Sequence, residues 1–101
     1  MSAATGRLER ALIASAARAG ATIRVEAHDA QPWQSATFAG GRHRLEASAA
    51  SDARLDAWLA ALGAEAIAVP GHVVADLSVG ACVRAGGTTR FRVDGLTVVR
   101  G

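Results

Sequence analysis

The stretch that most constrains the fold is residues 33–48, WQSATFAGGRHRLEAS, where apolar and polar side chains alternate on both sides of a glycine pair. Successive side chains of a β-strand point to opposite faces, so this alternation is typical of half-buried strands. A Gly-Gly pair suits a two-residue hairpin loop because glycine tolerates the positive φ that such a loop needs. The stretch therefore predicts a β-hairpin that turns at Gly40-Gly41.

The two faces of this predicted hairpin differ in character. The apolar parity is expected to face the core, and it comprises Ala36, Phe38, His43, Leu45 and Ala47. The other parity is expected to face outward, and it comprises Trp33, Ser35, Thr37, Arg42, Arg44 and Glu46. Because His43 falls on the apolar parity opposite Phe38, we expect it to be a packed residue and not a ligand.

Two helices are predicted, at residues 6–18 and at about 52–62. In the first, Leu8, Leu12 and Ala16 recur every four residues, which places them on one face of a helix. The second begins at Ser51 or Asp52, which are good N-cap residues, and its apolar stripe comprises Leu55, Trp58, Leu59 and Leu62. Glycine follows each pattern and predicts its end, at Gly20 and Gly63.

The remaining alternating stretches predict further strands. Residues 21–28 form one, with a turn over residues 29–32, and residues 72–83 and 88–100 form two more. The apolar parity changes at Gly95, which predicts a bulge in the last strand. Residues 64–69 are a short apolar run. Cys82 lies inside an apolar strand, so we expect an inert, buried thiol.

Together these elements predict an α+β fold, a two-layer sandwich with two helices on one face of a five- or six-stranded, mainly antiparallel sheet. The order α-β-β-β occurs twice, over residues 6–49 and 51–100, which suggests duplicated units. A ferredoxin-like arrangement is the alternative, although it needs a β-α-β start that the pattern does not show. Residues 1–101 are expected to form a single domain, with residues 1–5 frayed.

Composition limits the compartment and the partners. The formal charge is +2, and all eleven basic residues are arginine, a bias typical of GC-rich bacterial coding sequences. So small a net charge does not favour nucleic-acid binding. A single cysteine cannot form a disulfide within the chain, which favours a reducing compartment. With no uninterrupted apolar stretch for a membrane span or signal peptide, we expect a cytoplasmic protein without membrane contact.

The open face of the predicted sheet is the candidate binding surface. The residues proposed to bind a ligand or partner are Arg24, His28, Trp33, Arg42, Arg44, Arg90 and Arg92. An exposed tryptophan beside several arginines is common in interfaces. A solvated sheet face crossed by charge pairs would show the same polar parity, so both interpretations stay open.

No catalytic, metal or cofactor site is predicted. The stretches AGGR and RAGGT lack the spacing of phosphate loops and join strand to strand. His72 and Asp76 would lie about 13 Å apart along a strand, which is too far to share a metal ion. The pattern therefore favours a non-catalytic interaction module, most simply a homodimer. The alternative is a binder of small anionic ligands, or an enzyme, that uses Arg24, Arg44, Arg92 and His28.

Nucleic-acid binding is the third and weakest interpretation. The α-β-β-β-α order of residues 6–62 resembles double-stranded RNA-binding domains in topology, but the second helix opens with AASDARLD, which is net acidic. The stretches WQSATFAGGRHRLEAS, GHVVADLSV and LTVV resemble a group of short bacterial hypothetical proteins that have no assigned activity. That resemblance covers most of the chain and implies no functional residues.

Overall fold

The computed structural model describes residues 3–100 as an α+β fold with two helices and a four-stranded antiparallel sheet. Along the chain the elements are α1 (Ala3–Arg18), β1 (Arg24–Gln34), β2 (Ala39–Ala50), α2 (Ala53–Ala61), a 3-10 turn (Ala64–Ala66), β3 (His72–Ala85) and β4 (Thr88–Val99). The strand order is β1-β2-β4-β3, so β2 and β4 are central. The predicted α+β class with two helices is confirmed, whereas the predicted five or six strands were too many.

The strand count was wrong at two places. The predicted strand at 21–28, from Arg24 onward, and the first hairpin strand belong to one continuous strand, β1, and the predicted turn at 29–32 lies inside it. Pro32 is tolerated there because β1 is an edge strand, whose outer N–H groups have no ladder partner. Residues 64–66 form a 3-10 turn. Each half of the described chain therefore runs α-β-β, and duplication of the halves stays a prediction.

The hairpin between β1 and β2 turns at residues 35–38 and not at Gly40-Gly41. The Ser35 backbone N–H donates to the Phe38 carbonyl at 2.8 Å, and the Phe38 N–H donates to Ser35 Oγ at 3.0 Å. Gly40 and Gly41 lie within β2, where Gly40 is opposite Trp33. Phe38, which was expected in the core, lies in the loop and is 57% exposed.

Bulges in both edge strands change which side of the sheet the later side chains face, and the sequence pattern does not show them. A bulge between Val25 and Ala27 moves His28 to the helix-covered side of the sheet. Two bulges interrupt β3, between Val74 and Asp76 and between Val79 and Cys82. As a result Asp76 is on the opposite face from His72. Cys82 is exposed, which contradicts the expected buried thiol.

The bulge predicted at Gly95 is absent, because β4 alternates without interruption from Thr89 to Val98. Gly95 faces the helices, where the Leu77 Cδ1 atom would lie 3.1 Å from an added Cβ. The glycine therefore leaves room for a core side chain from the neighbouring strand. No change of backbone phase accompanies it.

The core lies between the two helices and one face of the sheet. Leu8, Leu12 and Ala16 of α1 are buried together with Leu45 of β2 and Val93 of β4. The helix stripe predicted from four-residue spacing is confirmed. From α2, the Trp58 ring packs edge-on against Phe91, with ring centroids 6.1 Å apart. The opposite face of the sheet is not covered by any element of residues 3–100.

The predicted start of the first helix at residue 6 is three residues late, since α1 begins at Ala3. Met1 and Ser2, which belong to the segment expected to be frayed, lie outside the described residues. The second helix matches the sequence pattern more closely. The Asp52 side chain accepts a hydrogen bond from the Arg54 backbone N–H and so caps α2, as its N-cap chemistry predicts.

Candidate functional site

The uncovered side of the sheet, called the open face below, can be described level by level because the strand register is known. At one end the level across the sheet is Trp33, Gly40, Val98 and Val73. Two levels further along come Asp29, Arg44, Asp94 and Ser78, followed by Ala27, Glu46 and Arg92. The far end carries Arg24, Ser48, Arg90 and Val83. The face thus changes from apolar at one end to basic at the other.

Six of the seven residues predicted to bind a partner lie on the open face: Arg24, Trp33, Arg42, Arg44, Arg90 and Arg92. The seventh, His28, lies on the helix-covered side and is therefore removed from this set. The one-residue bulge before Ala27 is the physical reason, since it reverses every later side chain of β1.

Opposite charges alternate at the centre of the open face. Arg44 Nε donates to Asp94 Oδ1 at 3.2 Å, and Arg92 Nε donates to Asp94 Oδ2 at 3.0 Å. One carboxylate therefore binds two guanidinium groups. The Arg92 guanidinium lies where a side chain at Gly80 would be, so this glycine makes room for it. Among the described side chains, Arg24, Arg42 and Arg90 form no ion pair.

A depression of about 420 Å³ lies next to this charge cluster. The polar residues of the open face that line it are Asp29, Gln31, Arg42, Arg44, Asp76 and Asp94. Three carboxylates and two guanidinium groups give it a mixed charge. Such a lining suits groups of both signs better than a simple anion.

Trp33 dominates the apolar end of the open face. Its indole Nε1 donates to the Thr97 carbonyl oxygen at 3.2 Å, across β2 from β1 to β4. Gly40 permits this crossing, because an added Cβ would collide with the Thr97 carbonyl and approach the indole nitrogen. Val73 is exposed nearby, at the start of β3.

A second polar arrangement, called the histidine chain below, lies on the covered side and comprises Glu9, His28, His43 and Thr97. Glu9 Oε2 is 2.9 Å from His28 Nδ1, and His28 Nε2 is 2.9 Å from His43 Nδ1. His43 Nε2 is in turn 2.9 Å from Thr97 Oγ1, which lies 3.4 Å from the Gly41 carbonyl oxygen. The four residues connect α1, β1, β2 and β4.

The histidine chain is buried except at its Glu9 end. The side chain of His28 is 5% exposed and that of Glu9 31%, while His43 and Thr97 are fully enclosed. Burial, with smaller contributions from the nearby His28 and His72, lowers the pKa of His43 from 6.5 to about 4. His43 is therefore neutral near pH 7, and only one of its ring nitrogens carries a proton.

Sequence reasoning correctly expected His43 to be buried but did not find the histidine chain. The alternating pattern placed His28 on the other face, and no sequence signal marks the bulge that brings it to His43. Gly41 was interpreted as a turn residue, whereas an added Cβ there would lie 2.8 Å from His43 Nε2. The glycine therefore provides the space that the imidazole occupies.

His72 stands apart from the histidine chain in its hydrogen bonding. Its Nδ1 lies 3.1 Å from the Pro70 carbonyl oxygen, which also accepts from Arg7 Nη1 at 3.1 Å. Among the described side chains, no group of three or more His, Cys, Asp or Glu residues is arranged to hold a metal ion. The hydrogen-bonded ring nitrogens of His28 and His43 can carry and pass protons.

Comparisons with models of protein families, with curated proteins and with solved structures find no match to this chain. Within residues 3–100, no helix has both the length and the apolar character required to cross a membrane. Function must therefore be inferred from the open face and the histidine chain themselves.

Proposed function

We propose that this protein is a non-catalytic, self-associating module in which two copies pack their open faces together. The order of charges on the two central strands carries the proposal. Arg44 of β2 is level with Asp94 of β4, and at the next level Glu46 of β2 is beside Arg92 of β4. The sign of the charge is thus opposite on the two strands at both levels.

This order is self-complementary about one particular two-fold axis. An axis that runs parallel to the strands, between β2 and β4, exchanges the two strands without changing the level. Arg44 of each copy then lies over Asp94 of the other, and Glu46 over Arg92. A two-fold interface must be complementary to itself in this way.

The same axis also brings the apolar ends of the two open faces together. It places Trp33 of each copy over Val73 of the other and Gly40 over Val98. Because each indole extends across β2 to the Thr97 carbonyl, the two half-buried rings meet near the axis in this arrangement, and Val73, 43% exposed in the single chain, lies at the edge of the contact. Tryptophan in such a setting is often a residue that contributes much of the binding energy.

The size of the open face fits a stable dimer. Four strands of eleven to fourteen residues cover roughly 700 Å² at usual strand spacings. Standard interfaces bury about 800 Å² on each partner. Charge favours a second copy over a nucleic acid, since five arginines share the face with Asp29, Glu46, Asp76 and Asp94.

The depression favours a second candidate function, the binding of a small ligand at Arg42. Arg44 is already bound to Asp94, whereas Arg42 forms no ion pair with a described side chain. A ligand carboxylate could pair with Arg42, and Asp29 or Asp76 would favour a positive group on the same molecule. A zwitterion fits this lining better than the simple anion expected from the arginine content alone.

Sedimentation equilibrium over a wide concentration range tests self-association. We expect a mass near twice the 10.3 kDa of one chain at high concentration. Arg44→Glu should weaken the dimer at least tenfold, because it places like charges over Asp94 twice. Arg10→Glu is the matched control, since Arg10 is exposed on α1 away from the open face.

A monomeric mass at every concentration would refute the self-association proposal. Equal weakening by Arg44→Glu and Arg10→Glu would refute the assignment to the open face. If the chain is monomeric, the second candidate is tested by titration with a small zwitterion, followed through the backbone NMR signals of Arg42 and Asp76. Shifts confined to the depression would support that candidate.

A further inference from the structure

The geometry of the histidine chain fixes where its protons lie when both imidazoles are neutral. The Glu9 carboxylate accepts, so His28 must carry its proton on Nδ1. His28 Nε2 then has a lone pair and accepts from His43 Nδ1–H. His43 Nε2 must accept in turn, and the Thr97 hydroxyl is the donor within reach, at 2.9 Å.

One added proton reverses the direction of the inner hydrogen bonds without breaking the chain. His28 then carries protons on both nitrogens and donates to Glu9 and to His43 Nδ1. His43 remains neutral with its single proton on Nε2, which donates to Thr97 Oγ1. The Thr97 hydroxyl accepts this hydrogen bond, and its own proton is donated to the Gly41 carbonyl at 3.4 Å. The balance is one proton gained, and each imidazole nitrogen and the Thr97 hydroxyl group keep a hydrogen-bond partner.

We infer that Glu9, His28, His43 and Thr97 form a proton-sensitive switch, in which protonation of His28 changes His43 from its Nδ1–H to its Nε2–H tautomer. The switch is independent of whether two copies associate. It also converts the contact between α1 and β1 from a hydrogen bond into an ion pair between Glu9 and the His28 imidazolium. Helix and sheet are then joined more strongly at low pH at this point.

The neighbours of the two rings support His28 as the site of the proton. The acidic member of the histidine chain, Glu9 of α1, is in direct contact with His28. His43 is deeply enclosed and has His28 and His72 as its charged neighbours, which oppose a positive charge on it. Arg7 of α1 binds the same carbonyl as His72 and adds positive charge on that side.

The test is ¹⁵N NMR of the imidazole nitrogens, which distinguishes the two neutral tautomers from the imidazolium ion. The pH is lowered until the His28 signals are those of an imidazolium ion. Over the same interval His43 should change from the Nδ1–H to the Nε2–H pattern while it stays neutral. His72 serves as the internal reference, since its hydrogen bond is to the Pro70 carbonyl and not to a member of the histidine chain.

Glu9→Gln tests the role of the carboxylate, with Glu65→Gln as its matched control on the exposed 3-10 turn. Loss of the negative charge should move the His43 tautomer change to lower pH by about one unit. Glu65→Gln should leave it in place. Thr97→Ser keeps the hydroxyl group and should keep the change as well.

Three results would overturn the inference. In the first, His43 keeps one tautomer while His28 takes up its proton. In the second, His43 becomes an imidazolium ion before His28 does. In the third, Glu9→Gln and Glu65→Gln shift the transition equally. Backbone amide spectra of each variant establish that the protein is folded, so a change in tautomer cannot be mistaken for unfolding.

Discussion

Trp33 and Thr97 are joined across β2 by a hydrogen bond from the indole Nε1 to the Thr97 carbonyl oxygen, 3.2 Å long. The Thr97 side chain points to the other side of the sheet, where its Oγ1 is 2.9 Å from His43 Nε2. Thr97 is thus bound on both faces of β4. It connects the aromatic residue of the open face with the enclosed end of the histidine chain.

Gly40→Ala should displace the Trp33 indole from its position across β2. An added Cβ collides with the Thr97 carbonyl, and backbone cannot move aside as a flexible side chain would. We expect a loss of more than about 2 kcal/mol in the free energy of unfolding, measured by urea denaturation. Gly63→Ala is the control, because an added Cβ there meets nothing within 4 Å. Equal effects of the two substitutions would contradict this role of Gly40.

Trp33→Phe keeps one aromatic ring but removes the hydrogen bond to Thr97 and part of the apolar surface. Removal of one intramolecular hydrogen bond usually costs about 1 kcal/mol, and we expect a loss of at least that size here. Fluorescence of the remaining Trp58, buried against Phe91, can follow unfolding of the variant. An unchanged unfolding midpoint would show that the indole N–H contributes nothing.

Acid should destabilise the protein through His43. The folded-state pKa of about 4 is below the value of 6.5 for the free side chain, so the unfolded state binds the proton more readily. The contribution of the neutral His43 to the free energy of unfolding has its full value above about pH 6.5. As the pH falls to about 4, we expect it to decrease by about 3 kcal/mol in total.

Urea denaturation between these pH values measures the effect. The comparison is with His43→Gln, which cannot take up a proton at this position and should lack this part of the pH dependence. His72→Gln should retain it, since His72 makes the smallest contribution to the His43 pKa. Parallel pH curves for the wild type and His43→Gln would contradict the assignment.

The sequence predicts well those elements whose periodicity is uninterrupted. Leu8, Leu12 and Ala16 mark the buried stripe of α1, and the odd positions from His43 to Ala49 mark the covered face of β2. Both patterns are fixed by local geometry, 3.6 residues per turn in a helix and two in a strand. Six residues of the open face could be named for the same reason.

The errors arise where tertiary packing decides the local structure. Gly40 and Gly41 carry the signature of a turn, but the rings of Trp33 and His43 require them inside β2. The bulge before Ala27 leaves no mark in the alternation, yet it determines which face His28 occupies. The histidine chain depends on both features, so it could not be recognised from sequence alone.

Cys82 should react readily with a thiol reagent in the native protein. It lies on the edge strand β3 and is exposed, contrary to the burial expected from its apolar neighbours in sequence. We expect complete reaction with Ellman's reagent without denaturant, at a rate within about tenfold of that in urea. A thiol that reacts only after unfolding would contradict this exposure.

The central claim is that Arg44 of one copy lies over Asp94 of another, and mixing two charge-reversed chains tests it most directly. Arg44→Glu alone sets two carboxylates against each other, and Asp94→Arg alone sets two guanidinium groups against each other, so each variant by itself should be monomeric. Mixed, they restore both attractive pairs, and sedimentation should detect a heterodimer near twice 10.3 kDa. If the mixture remains monomeric while the wild type dimerises, the two copies do not meet through this pair.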